Sequence, residues 1–166
     1  MRLDDRDIKI LTILQSEGRI TKQALAERVA LSHSACLERL QRLEKAGFIR
    51  AYRAEVVLEQ ITPSVAVYVE VTLARHQAED FAIFEEAIHT VPEVVSCDAI
   101  GGGIDYLMKI VALDVGHYQE LIDGLLARDI GIGTYFTYIV TKQVKTPDSL
   151  PVKELLERAK NPRVAE

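Results

Sequence analysis

Ser34, Glu38 and Arg42 stand at four-residue intervals, and on a helix of 3.6 residues per turn that spacing brings them to one side with Gln41 and Lys45. A hydroxyl, a carboxylate and a guanidinium on one helix face are the groups that read base edges in a DNA major groove. An arginine forks onto guanine O6 and N7, and a glutamate accepts from cytosine N4 or orients an arginine. Arg42, or Arg39 on the flank, suits guanine, and His33 lies near the helix N-terminus. Cys36, Leu37, Leu40 and Leu43 occupy the other side, so only that side can face a core. Arg50 and Arg53, in the following FIRAYRA, are available to backbone phosphates.

A second group of residues is the run GGGIDY, Gly101 to Tyr106. Glycine backbone without side chains lets a small ligand come close to N–H and C=O groups. No Gly-Lys-Ser/Thr ending follows, nor does a helix, so the run does not read as a nucleotide phosphate loop; locally it is a sharp turn between two strands. His33, His76, His89 and His117 show no metal-ligand spacing, and no Ser, His and carboxylate grouping suggests catalysis. Cys36 and Cys97 fall in different expected domains with no close spacing, which fits two buried reduced thiols rather than a disulfide framework or a zinc finger. Neither enzyme chemistry nor a cofactor is expected.

The elements that hold these residues follow from caps and periodicity. Apolar residues from Leu3 to Leu14 recur at helical spacing behind Asp4, Asp5 and Asp7, where the helix dipole favours negative charge, and Gly18 stops this first helix. Thr21 caps a second helix carrying Leu25, Ala26 and Val29. After a very tight turn at Ala30 and Leu31, Ser32 caps a third that runs to about Ala46 before Gly47. Residues 21 to 47 thus read as a helix-turn-helix, and Phe48 to Ala54 as a short strand or wing. Val56 to Pro63 reads as a linker, because Pro63 breaks any continuing ladder.

From Val65 the pattern changes to strict alternation, a half-buried strand. A helix over Ala78 to Thr90, strands over Val94 to Ile100 and Asp105 to Leu113, a helix over Asp114 to Arg128 and a final strand over Thr134 to Val144 complete a β-α-β-β-α-β order, the split βαβ or ferredoxin-like arrangement. A short helix follows Ser149, and Asn161 to Glu166 reads as a frayed tail. The expected organisation is a DNA-binding domain over 1–55, a linker over 56–63, a ferredoxin-like domain over 64–148, and a C-terminal helix and tail over 149–166.

With 48% hydrophobic and 27% charged residues, the chain has a normal globular balance. The net charge of −5 argues against a general nucleic-acid coat, but residues 1 to 60 carry +2 and the remainder −7. No apolar run reaches the roughly 20 residues of a membrane helix, and MRLDDRDIKI is acidic where a signal peptide is basic. A cytoplasmic protein is expected.

The segments LDDRDIKIL, LQSEGRI, ALAERVALS, CLERLQRLEKAGFI, VPEVVSC and DYLMKIV, with a closing strand leading to VK, together resemble the Lrp/AsnC (feast/famine) transcriptional regulators, in that family's order along nearly the whole chain. The resemblance implies an α+β chain: a winged helix-turn-helix followed by a ferredoxin-like βαββαβ (RAM, ACT-like) domain that binds a small effector, usually an amino acid. It also implies dimers through the second domain and assembly to octamers, with effectors at dimer–dimer interfaces. On that basis His33, Ser34, Glu38, Arg39, Arg42, Arg50 and Arg53 are the expected DNA-binding residues. Gly101, Gly102, Gly103, Asp105, Tyr106 and Thr137 are the expected effector-binding residues, with backbone donors for a carboxylate and Asp105 as an acceptor for an ammonium. Three departures from the family pattern stand out: Ala30 occupies a turn position where family members often carry glycine, GGGIDY replaces the more usual Gly-x-x-Asp-Tyr pattern with a bulkier polar filling, and Tyr135 and Phe136 stand where polar residues are frequent. Two other classes fit less of the chain. A regulatory module of a metabolic enzyme leaves the first domain without a task, and a redox or metal-responsive repressor lacks a ready site among the cysteines and histidines.

Overall fold

The computed structural model describes residues 2–146 and 149–160, and the chain divides into two compact units, Met1–Glu55 with Lys145–Glu166, and Val56–Val144. The first unit is helical. Helix α1 (Asp5–Ser16) starts at Asp4, whose carboxylate accepts from the Asp7 N–H at 2.9 Å while the Asp7 carboxylate accepts from the Asp4 N–H at 3.1 Å. This reciprocal cap satisfies two of the donors that a helix start leaves open. Thr21 caps α2 (Lys22–Arg28) and Ser32 caps α3 (His33–Lys45), each accepting from the N–H three residues on. Ile10, Ile13, Leu25, Ala26, Val29, Cys36, Leu40 and Leu43 close a common core.

The turn between α2 and α3 is made by Ala30 at φ 54°, with the Ala30 N–H on the Glu27 carbonyl and the Leu31 N–H on the Ala26 carbonyl. Gly47, at φ 77°, ends α3 with the same pair of bonds, to Glu44 and, from Phe48, to Leu43. Both are left-handed helix stops, one using the residue best suited to positive φ and one using alanine.

The segment expected as a short strand or wing, Phe48 to Ala54, forms no strand: after the turn at Gly47 the chain runs on to Val57 with no ladder partner. Alternation prepares a strand, but hydrogen bonding to a second strand makes one. The stretch read as a linker contains a short 3-10 turn, Leu58–Gln60. The expected C-terminal helix is present as α6 (Val152–Lys160). It lies against α1, and the Gln15 side chain accepts from the Leu150 N–H at 2.7 Å just before it. The tail reading for Asn161 to Glu166 lies outside the described residues.

The second unit holds β1 (Val65–Leu73), α4 (Ala78–His89), β2 (Val94–Ala99), β3 (Tyr106–Ala112), α5 (Val115–Ala127) and β4 (Ile132–Ile139). The antiparallel sheet has the order β2-β3-β1-β4, the ferredoxin-like arrangement. Val67, Val69, Val71 and Leu73 point to one face, where Phe84 and Ile88 of α4 and Tyr118, Ile122 and Leu125 of α5 cover them. Strand β4 starts two residues earlier than expected and stops five earlier. Val140 donates to the Ala66 carbonyl, the last bond β1 offers, and the polar TKQV beyond has nothing to pair with. No helix covers the opposite face of the sheet in this unit. On it Tyr68 pairs in register with Tyr138 and Glu70 with Phe136, and Phe136 is 61% exposed.

Candidate DNA-binding and effector sites

The Ser32 cap sets where α3 begins and so which residues lead it. His33 and Ser34 are exposed in its first turn, and Glu38, Gln41, Arg42 and Lys45 are exposed further along, while Cys36, Leu40 and Leu43 are buried. Glu38, Ser34 and His33 therefore project from the core-free side. Arg50 and Arg53 are exposed in the extended segment that follows. Tyr52 between them donates to Glu44 at 2.8 Å, and burial together with that carboxylate pushes its phenol up to about 12.

Arg39 and Arg42 are engaged differently. Arg39 Nη1 donates to Asp4 Oδ2 at 2.6 Å and to Asp7 Oδ1 at 2.8 Å, and Arg42 Nη2 lies 3.0 Å from both Asp7 oxygens. Asp7 itself is 1% exposed. The Asp7 N–H, and after it the Arg39 guanidinium, hold the Asp4 carboxyl below its usual range, while the two carboxylates raise the Arg39 pKa. Asp7 was legible in the sequence only as a first-turn acid. Its position three residues before Ile10 and six before Ile13, on the inward face of α1, was the signal that it is buried.

In the second unit, Gly101, Gly102 and Gly103 form the exposed tip between β2 and β3, and a Cβ added at any of them meets no atom within 4 Å. The single chain therefore does not need glycine there for packing. Asp105 joins that hairpin to the end of β1. Its N–H donates to the Val71 carbonyl at 3.0 Å, its Oδ2 accepts from the Leu73 N–H at 2.8 Å, and the same oxygen is 3.0 Å from His76 Nε2. Neither His76 nor this second carboxylate bond was evident from spacing.

Tyr106 points into the helix-covered face beside Phe84 and donates to Glu85 at 2.7 Å; burial, then that carboxylate, raises its pKa strongly. Thr137 also faces the helices, bonded to the Tyr118 hydroxyl on α5, and it sits opposite Val69 on the strand beyond β1. The structure thus gathers the glycines and Asp105 at one hairpin end, with Tyr106 adjoining in the sheet, and places Thr137 two strands from Tyr106. A groove of about 520 Å³ between α4 and β2 is lined by Glu85, His89, Cys97 and Tyr106 among others. The Cys97 thiol is pushed up to about 11 by burial, then by Asp98 and Glu85, and burial raises that of Cys36. Both are poor nucleophiles near neutral pH. Among the described residues no cluster of His, Cys, Asp or Glu has a metal-binding arrangement, and no helix is long and apolar enough to cross a membrane.

The winged helix-turn-helix DNA-binding family model matches residues 3–50, and the Lrp/AsnC ligand binding domain matches residues 66–150. The chain belongs to the Lrp/AsnC family. It is 51% identical over 149 residues to the transcriptional regulatory protein DoeX of Halomonas elongata, covering 90% of this chain and 94% of that one. It is 38% identical over 151 residues to the leucine-responsive regulatory protein of Escherichia coli, covering 91% and 92%. Among solved structures, the L-Met complex of a transcriptional regulator from Neisseria meningitidis superposes with a TM-score of 0.86 at 36% identity, covering 93% of this chain and 99% of that one. This Lrp/AsnC protein is therefore a transcriptional regulator with a DNA-binding helix-turn-helix and a ligand-binding domain, and its relatives are named as regulators rather than as enzymes.

Proposed function

We propose that the chain acts in the cytoplasm as a sequence-specific regulator whose grip on DNA responds to an amino acid or a closely related metabolite, with no other cofactor. The observation that carries this reading is the pairing of a Ser32-capped helix with an exposed polar face and a hairpin whose bare glycines adjoin a part-buried carboxylate, Asp105. The L-Met complex of the Neisseria relative and the leucine-responsive names of others support the choice of effector class.

His33, Ser34, Glu38, Arg39, Arg42, Arg50 and Arg53 form the DNA-facing set, with α3 in the major groove and Arg50 and Arg53 toward phosphates. Gly101, Gly102 and Gly103 offer backbone groups to the effector carboxylate. Asp105 takes the ammonium through the oxygen not spent on Leu73 and His76. Tyr106 and Thr137 shape the pocket wall, since their hydroxyls are held within the fold. The uncovered sheet face, with Tyr68, Phe136 and Tyr138, pairs two copies, and dimers assemble further to an octamer. Effector binding then shifts the arrangement of dimers through its differential affinity for the alternatives.

The test is a thermal-shift screen against the standard amino acids with wild type and Asp105→Ala. A ligand of the folded state at 100 times its Kd raises stability by about 2.7 kcal/mol. At least one amino acid is expected to raise the melting temperature of the wild type and to fail with Asp105→Ala. Equal shifts in both proteins, or none in either, would remove the proposed site.

A further inference from the structure

Asp7 is a carboxylate on α1, 1% exposed, with both oxygens turned toward two arginines of the neighbouring helix. A buried charge of this kind is costly unless its partners are well placed, and here they are. Arg42 gives Nη2 to both Asp7 oxygens, and because Nη2 belongs to both two-donor edges of a guanidinium, neither edge keeps two free donors; among the described residues Nε and Nη1, which point apart, bond to no protein group. Arg39 spends Nη1 on Asp4 and Asp7 and is the less exposed of the pair, at 25% against 48% for the side chains. A guanine read through O6 and N7 needs two parallel donors on one guanidinium, whereas a phosphate oxygen needs only one or two donors and a charge.

From this we infer that Asp7 is a positioning residue for the DNA interface: it holds Arg42 so that a remaining single donor meets a backbone phosphate, and it withdraws Arg39 from base reading. Base discrimination on α3 then falls to His33, Ser34 and Glu38, which no ion pair holds, the Ser34 hydroxyl meeting that of Ser32 at 3.3 Å. This rests on the reading of α3 as the DNA-facing helix and refines which of its residues do what.

The experiment begins by enriching a duplex from a random library with the wild-type protein. Fluorescence anisotropy then gives the affinity for that duplex and for a scrambled duplex of equal length over a salt series. Arg42→Met is expected to weaken both duplexes by similar factors and to lower the slope of log affinity against log salt by about one phosphate contact. Asp7→Asn keeps both guanidiniums but releases them. It is expected to lose about tenfold on the enriched duplex while holding or gaining on the scrambled one, so the specificity ratio falls. A merely structural loss does not move that ratio in a protein that stays folded.

Should Asp7→Asn not fold by circular dichroism, Asp4→Asn, which retains a good helix cap, loosens Arg39 alone and is expected to lower the ratio by a smaller factor. The inference is overturned if the Asp variant that folds shifts both duplexes equally or not at all. It is equally overturned if Arg42→Met lowers the ratio of enriched to scrambled affinity while leaving the salt slope intact. A wild type that enriches no duplex contradicts the DNA-facing reading itself, whereas an enriched duplex indifferent to Asp7 and Asp4 contradicts only this inference.

Discussion

Ala30 is the residue at which this helix-turn-helix bears local strain. Its φ of 54° is a conformation that costs an L-residue with a side chain about 1–2 kcal/mol, and the bonds to Glu27 and Ala26 leave the turn no other geometry. Glycine removes that cost but gives back part of it through a freer unfolded chain. Ala30→Gly is therefore expected to stabilise the helical unit by about 0.5–1 kcal/mol, measured by thermal or urea unfolding, with DNA affinity unchanged. Residues of the sites were legible in the sequence to different depths. Ser34 and Glu38 could be placed outward from helical spacing alone, because nothing else competes for them. Asp7 carried a signal of burial in its spacing from Ile10 and Ile13 but none of its partners, because a first-turn acid looks the same whether it serves the dipole or anchors two arginines 32 and 35 residues away.

Helices are where sequence and structure agree most closely, since each is bounded by a local signal: Asp4, Thr21 and Ser32 at the starts and Gly47 at a stop. The strand β1 is equally plain, its strict alternation matching a face that is buried at every second residue. Elements that depend on a distant partner were harder to place. Phe48 to Ala54 has the composition of a strand and no ladder, β4 ends where β1 stops offering bonds, and the seating of α6 on α1 joins segments 135 residues apart. Gly133 shows the same dependence. A Cβ there would lie 2.8 Å from the Ala74 backbone nitrogen, where β4 meets the irregular end of β1. Neither backbone can yield cheaply, so Gly133→Ala is expected to destabilise the sheet unit by about 1–3 kcal/mol in a denaturant titration.

For the whole molecule, one sheet face is covered by two helices and the other presents Tyr68, Phe136 and Tyr138 to solvent. Exposed aromatics in a contiguous patch mark an association surface. A charge placed there must be desolvated for two copies to pair. Phe136→Glu is expected to weaken self-association by about 2–3 kcal/mol and to shift the mass seen by light scattering toward a single chain, without unfolding it. The proposed assembly offsets the small net positive charge of the helical unit, because several recognition helices engaged together multiply weak contacts.

The proposed link between effector and DNA is tested most directly by an anisotropy titration of the enriched duplex with and without each standard amino acid at saturating concentration. At least one amino acid is expected to change the DNA affinity by about 5–150-fold, the usual range of such coupling, and Asp105→Ala to abolish that change while binding DNA as before. DNA affinity indifferent to every amino acid, in a protein that binds one of them, would contradict the link.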